Sequence, residues 1–502
     1  MADAPTSIPA SINYQDVLPV AVPAIARRRR FYPQNGTTFN PLGSQEIRVQ
    51  IGSTNSLLDP LHSYLEFFLF NEHVGGHSLG LDLGGGHVLF SEIWVEQAGR
   101  VLARQDAHNR LHAGILSACQ VSENGQLGES VTQGQRGLNN AGGGAVNQLT
   151  PVAPGQEGSV YINRQHNDVL EIPNGQGVRM TMSMPTGLFT QNKLLPLPLV
   201  SGNEPITLVF RMALPAQVGI WSGVPAQDAI RIDRFNYVAQ LIEVGGDVIG
   251  QLRQMQGMTG GQLTISSTDI EHSQGVVPAN TVGEFPIRVP MRKRSIKSLL
   301  FQMNSDDITN GAPGLTIHDI FNLSFGGNCS MANYQLKVGS VVYPPSPVEC
   351  WGNTVARPRN ANRRGECAME LAKAMGTLGY TNPTGRLCGI TYGKNNDTVA
   401  GVAAGPLADG DNGDGAGATI APGDLMNNCL CPFGLDLDAW QHTAIEGGVD
   451  SETMALETNL IINVDTDAGV TGSGDEIKNV HTYIIYDQHY YFNSDGTITF
   501  SN

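Results

Sequence analysis

Trp94–Leu102 (WVEQAGRVL) and Tyr334–Tyr343 (YQLKVGSVVY) are built alike. Each alternates apolar and polar side chains, reaches a glycine (Gly99, Gly339), and resumes. Period-two alternation on both sides of a glycine is a strand pair folded back on itself. The two stretches lie about 240 residues apart, and what surrounds them is also alike. Each leads into a helical stretch: Ala107–Cys119, with Asp106 as cap and Leu111, Ile115 and Leu116 on one side, and Ala361–Leu378, with Met369, Leu371, Ala372 and Met375 apolar. Each helix leads into a long Gly-rich loop, roughly 121–157 and 395–427.

Strand patterns extend outward from both pairs. In the first half they are Gln45–Ile51, Ser63–Phe70, Val178–Met184, Lys193–Val200, Ile206–Met212 and Ile230–Leu241. His87–Leu102 is expected to bury Ile93, Val95 and Val101. In the second half they are Gln262–Ser266, Phe285–Pro290, Ser298–Met303, Ile320–Phe325, Met454–Val464 and a hairpin, His481–Phe500, turned at Asp495-Gly496. A short amphipathic helix with Val248, Ile249, Leu252 and Met255 separates the halves. The order strand, strand, bent pair, helix, long loop, strands therefore occurs twice. The fold class expected is all-β: two tandem eight-stranded jelly rolls with short helices and long loop insertions. The expected divisions are an N-terminal arm at 1–36, a first roll at 37–245, a linker helix at 246–260 and a second roll at 261–502.

Composition agrees. Of 502 residues 60 are Gly, about 12% against a usual ~7%. That much glycine opposes a mainly helical protein. A hydrophobic content of 40% with only 15% charged residues excludes a disordered chain. The net charge is −16, and residues 401–480 carry fourteen acids against one base, Lys478. An acidic whole opposes general coating of nucleic acid. The first 36 residues run the other way, with Arg27, Arg28, Arg29 and Arg30 against Asp3 and Asp16. Val17–Ala26 is too short to span a bilayer, and its charges follow rather than precede it, unlike a signal peptide. Seven scattered cysteines read as reduced thiols, with no CxxC pair for zinc.

Leu57-Leu58-Asp59-Pro60 followed by Ser63-Tyr64-Leu65-Glu66-Phe67 resembles the second-strand motif of double jelly-roll major capsid proteins. These belong to the tectivirus/adenovirus-like lineage of double-stranded DNA viruses, and the likeness is greatest to those of polinton-like viruses. Ile93–Val101 with Asn109–Leu116, Leu195–Val200 with Ile206–Met212, Tyr237–Met255 and Tyr334–Pro344 agree with that pattern in order. The resemblance covers most of residues 37–502. It implies a virion protein without catalytic activity or cofactor, forming pseudo-hexameric trimers that tile an icosahedral shell. Its implied partners are further copies of itself, penton and minor or cement capsid proteins, and an inner membrane or the genome through the N-terminal arm. Arg27, Arg28, Arg29 and Arg30 are then the expected inner-face contact. Two further basic clusters, Arg292, Lys293, Arg294 with Lys297, and Arg357, Arg359, Arg363, Arg364, are expected in inter-subunit or inner-face contacts. The alternatives are a minor capsid or spike protein, or a two-sandwich glycan-binding or glycan-processing protein.

Motifs for chemistry are weak. Gly76-His77-Ser78-Leu79-Gly80 matches the G-x-S-x-G elbow, but Gly84-Gly85-Gly86 follow closely and cannot open the helix that the elbow needs. His108 and His112 stand four apart on the helix without the Glu of H-E-x-x-H, and are expected as surface histidines; His73, His77 and His87 are expected as a chance grouping. Asp409–Gly415 (DGDNGDG) lacks calcium-loop spacing, with Gly413 at a ligand position and Ile420 where Glu belongs. No phosphate-binding loop of the Walker type occurs, which excludes the packaging ATPase of such a virus. Neither a metal nor a catalytic residue is expected.

Overall fold

The computed structural model describes residues 24–73, 79–81, 84–117, 119, 171–184, 186–191, 193–200, 205–221, 228–279, 281–290, 292–305, 323, 331–350, 364–376, 432–438, 447–452, 457–464 and 478–501. In the first half, besides four strands of two or three residues, eight longer strands follow in chain order: β1 (Ala24–Phe31), β2 (Glu46–Ile51), β3 (Ser56–Asn71), β4 (Phe90–Gln97), β5 (Arg100–Gln105), β6 (Gly177–Ser183), β7 (Ile206–Met212) and β8 (Ile230–Val244). They form two antiparallel sheets ordered β1-β8-β3-β6 and β2-β7-β4-β5. After the helix α1 (Gly246–Met258) come β9 (Gln262–Val277), β10 (Gly283–Val289), β11 (Ile296–Ser305), β12 (Met331–Val338), β13 (Val341–Glu349), the helix α2 (Arg364–Gly376), β14 (Pro432–Asp436), β15 (Thr458–Val464) and β16 (Lys478–Asn493). Their sheets are β9-β16-β11-β14 and β10-β15-β12-β13. Both halves therefore wind 1-8-3-6 over 2-7-4-5, the strand order of an eight-stranded jelly roll built from Greek keys. The chain is a double jelly roll.

Local chemistry explains the details. β4 and β5 meet at Ala98-Gly99, both at positive φ (54° and 74°), the backbone of a two-residue hairpin turn that a glycine makes easy. Pro60 lies within β3 and has no N–H to give a ladder. The pairing runs Asp59 to Gln240 and resumes at Tyr64 to Val238, so residues 60–63 bulge, and Ser63 donates its hydroxyl back to the Asp59 carbonyl at 2.5 Å. A second bulge, where β4 meets β5, shifts the register between Val95 and Glu96. It turns Val101, expected inside, out to solvent and leaves Leu102 buried.

Other expectations move as well. Residues 24–31, read as part of the arm, are the strand β1, paired residue by residue with β8 from Ala24–Val244 to Phe31–Tyr237. Leu197–Val200 is a helical turn rather than strand, because Pro196 and Pro198 withhold two ladder donors. Asp106 does not cap the helix after β5; it pairs with Arg104 at 2.6 Å, and Ala107 enters the helix in the left-handed region. Met369 on α2 is exposed, while Cys367, Leu371, Ala374 and Met375 face inward. Strand-like Ile320–Phe325 and the loops at 121–157 and 395–427 lie outside the described residues, apart from Leu323. Among the described residues no helix is long and apolar enough to cross a membrane.

Each roll lends side chains to the other's core. The α-turn His108–Leu111 and the π-turn His112–Leu116 that follow β5 send Leu111, Ile115 and Leu116 into the second core. In return Ile265, Tyr490, Phe492 and Ile498 join the first. Gly114 permits this approach, since a Cβ there would collide with the Gln302 side chain. The first core centres on Phe67, stacked on Phe235 at 5.7 Å, with Phe90 and Phe210 edge-on or tilted around them. The second centres on Phe301, stacked on Phe433 at 5.0 Å and capped edge-on by Tyr334.

Candidate functional site

Residues with chemical potential gather in three places. The first is the edge strand β1. It pairs only with β8 among the described strands, and Ala24–Arg30 are all exposed. The four arginines are anchored rather than loose. Arg27 reaches Glu243 at 3.1 Å, and Arg29 lies over the Phe31 ring at 4.9 Å. Arg28 donates to the Tyr64 hydroxyl, and Arg28, Arg30 and Arg179 converge on Glu66 at 3.9, 3.3 and 2.6 Å. Burial pushes the Glu66 carboxyl up, but the hydrogen bond and charge of Arg179 with the charges of Arg30 and Arg28 hold it below its usual range. Three cations around one carboxylate leave a positive surplus on this edge. Charge along an edge strand also discourages indiscriminate strand addition.

Of the other basic residues, Arg292 is exposed. Lys293 is buried, reaching Glu271 at 2.8 Å and lying over the Tyr486 ring at 3.9 Å; Arg294 pairs with Glu452 at 3.0 Å and Lys297 with Asp487 at 2.9 Å. That cluster therefore splits, with Lys293 and Lys297 serving the second roll internally. Arg357, Arg359 and Arg363 lie outside the described residues; Arg364 opens α2.

The second place is a cleft of about 500 Å³ between the rolls, lined by Glu92, Arg104 and Asp106 from one side and His272, Gln274 and His481 from the other. His272 Nε2 and His481 Nδ1 stand 3.1 Å apart with stacked rings. Burial lowers the His272 pKa to about 4, and lowers that of His481 as well, aided by the Arg110 charge. A neutral pair sharing one hydrogen bond is the result.

The third place corrects the sequence expectation. His108 and His112 are buried rather than on the surface, and His87 joins them. The hairpin brings this about: Ile93 pairs with Gln105, so the segment before β4 and the segment after β5 leave the same end. Gly84 lets them touch, because a Cβ there would meet Val88 at 2.6 Å and His112 at 3.3 Å. One ring nitrogen from each histidine lies within 4.8 Å of the others. Burial drives the His87 pKa down to about 3 and those of His108 and His112 well below the ordinary value, so all three are neutral imidazoles. His73, expected in a chance grouping with His77 and His87, is buried apart from the trio, its N–H bound to Asn71 Oδ1; His77 lies outside the described residues. After Ser78 of the G-x-S-x-G match comes the short strand Leu79–Leu81, not the helix a nucleophile elbow requires. The Asp409–Gly415 run lies outside the described residues.

No protein-family model matches the sequence, and no curated protein matches it. Solved structures do match. PBCV-1 VP54, as fitted into a reconstruction of the virophage Sputnik, corresponds over 97% of this chain and 99% of its own, with TM-score 0.56 and 9% identity. A chain of the Sputnik virophage particle covers 100% and 93%, at TM-score 0.53 and 12% identity. The Faustovirus major capsid protein covers 93% and 90%, at TM-score 0.53 and 8% identity. At such identities the likeness is one of fold, and it runs the length of both rolls.

Proposed function

We propose that this chain is a major capsid protein, a virion component that assembles as pseudo-hexameric trimers and, through trimer–trimer contacts, into an icosahedral shell. The observation that carries the proposal is the end-to-end correspondence of the two identically wound rolls with the Faustovirus major capsid protein. The physics of the surface is compatible. Shell subunits need rigid flanks with apolar side chains available for burial, and Leu42, Leu61, Val282, Met258 and Met369 are large, apolar and exposed. Obligate interfaces of this kind bury ~2,000 Å² or more.

Residues 1–23, with Arg27–Arg30 behind them, are the segment we assign to an inner-face partner, the genome or an anionic membrane. Arg292, Arg294, Arg363 and Arg364 are assigned to contacts between subunits or on that face. Penton and minor or cement proteins complete the partner set. No catalytic role is assigned.

Sedimentation and electron microscopy of the purified full-length chain test the proposal. Flat trimers of hexagonal outline, or closed shells, are expected. A chain that stays monomeric at micromolar concentration across a range of salt overturns it. Deletion of residues 1–23, which spares β1, is expected to leave trimers intact and to reduce particle yield or stability. An unchanged yield removes the arm from the assignment.

A further inference from the structure

We propose that His87, His108 and His112 form a binding site for one divalent transition-metal ion, Zn²⁺ foremost, that fastens the junction between the two rolls.

Position comes first. The three residues are 4%, 0% and 9% exposed, and buried imidazoles are costly unless their nitrogens are satisfied. His87 Nδ1 and His108 Nε2 are 3.2 Å apart. Two nitrogens each ~2.0–2.1 Å from a tetrahedral zinc stand ~3.3–3.4 Å apart, so this pair already has the spacing of two ligands on one ion. The His108 and His112 rings lie 4.4 Å apart; the His87 and His112 rings are stacked at 3.9 Å, so the His112 ring has to turn out of the stack for its in-plane lone pair to meet the ion.

The hydrogen bonds orient the ligands. His108 Nδ1 lies 2.8 Å from Oε1 of Gln105, itself buried. An amide oxygen only accepts, so Nδ1 carries the proton and Nε2 presents its lone pair toward His87. A second ring nitrogen held by an outer acceptor is the usual support of a metal-bound histidine. His112 Nε2 is buried with no hydrogen-bond partner. An orphaned buried nitrogen opposes folding, and coordination through it removes that cost. Packing alone explains one nitrogen pair and leaves His112 Nε2 without a partner.

The donor set selects the ion. Imidazoles without a carboxylate suit zinc, copper or nickel, whereas calcium and magnesium require oxygen. Three protein ligands leave a fourth position for water. The location gives the ion its role. His87 sits on the 3₁₀ turn Gly85–Leu89 that leads into β4, and His108 and His112 on the turns that send Leu111 and Ile115 into the second core. An ion there ties the first roll to the segment on which the second roll is packed.

The test uses the full-length chain, stripped with chelator and dialysed against Zn²⁺. Elemental analysis is expected to find about one zinc per chain, with a thermal midpoint raised by Zn²⁺ and unmoved by Ca²⁺ or Mg²⁺. His112→Phe keeps a stacked ring and is expected to fold with the midpoint of the metal-free wild type while losing zinc affinity at least tenfold; His87→Gln is expected to do the same. Absence of retained zinc with no shift in midpoint overturns the site, as does full zinc retention in either variant. Should both variants misfold, X-ray absorption of the zinc-loaded wild type decides: an imidazole shell supports the site and a thiolate shell overturns it.

Discussion

Gln97, at the end of β4 in the first roll, holds Ile498, the first residue of a short strand (Ile498–Ser501) that pairs with β16 of the second: its side-chain oxygen accepts the Ile498 N–H at 2.7 Å, while its amide donates to the Gly496 carbonyl at 2.9 Å. The residue is buried, so both backbone groups depend on it instead of water. Gln97→Ala leaves a donor and an acceptor unsatisfied at the seam. The expected cost is about 2 kcal/mol, within the ~1–3 kcal/mol range for a buried polar group stripped of its partner. Urea unfolding of the variant against wild type measures it, and a change below a few tenths of a kcal/mol refutes the clamp.

Glu66 holds Arg28, Arg30 and Arg179 together. Because its folded pKa lies below the ordinary carboxylate value, its contribution is complete at neutral pH and is lost as pH falls through the folded value. Glu66→Gln is therefore expected to cost about 1–2 kcal/mol at pH 7 in low salt, where three guanidinium groups are left facing one another. The cost is expected to shrink in 1 M salt and as pH falls below the ordinary carboxylate range. Thermal midpoints on a grid of pH and salt check this; a cost independent of both makes the interaction steric.

The strands were legible because alternation and glycine turns are local properties, and the Gly99 and Gly339 pairs mark the same point in two copies of one topology. What was not legible depended on register or on distant chain. Val101 keeps the alternation in sequence, and only the β4–β5 bulge turns it outward. Arg27–Arg30 show no alternation because β1 is exposed on both faces at a sheet edge, so a strand looks like a charged tail. The i, i+4 spacing of His108 and His112 was visible, but it does not report burial. The signal that places His87 beside them is the hairpin itself: a strand pair turned at Gly99 brings residues before β4 alongside residues after β5.

Gly434 on β14 is where α2 rests. A Cβ there would stand 2.8 Å from the Ala374 Cβ, 3.1 Å from the Leu371 Cα and 3.2 Å from Leu300. The helix backbone and the sheet both stand fast, so Gly434→Val is expected to lift α2 and cost about 3 kcal/mol, the upper range for overpacking. Faster proteolysis within 364–376 checks the local effect. Ala374→Gly in the same chain is expected to recover part of the loss, which a general folding defect would not allow.

Asp269 sits where the second roll meets Gly187 of the first, whose absent Cβ would fall 3.3 Å from the Asp269 Cβ. Its carboxyl accepts the Ile270 N–H at 2.9 Å and faces the Tyr490 hydroxyl at 3.4 Å. Burial raises its pKa from 3.8 to about 6 against the pull of those bonds and of Lys293. The folded state thus binds the proton more tightly than the unfolded state. Stability from this group is present below pH ~4, falls as pH rises through the interval to about 6, and stays lost above it. The difference between 3.8 and about 6 corresponds to about 3 kcal/mol. Asp269→Asn keeps the acceptor for Ile270 and removes the charge. It is expected to be more stable than wild type by up to that amount at pH 8, and equal to it near pH 4. Unfolding of both proteins across pH 4–8 tests this, and parallel curves would rule out Asp269 as the group that loosens the seam at high pH.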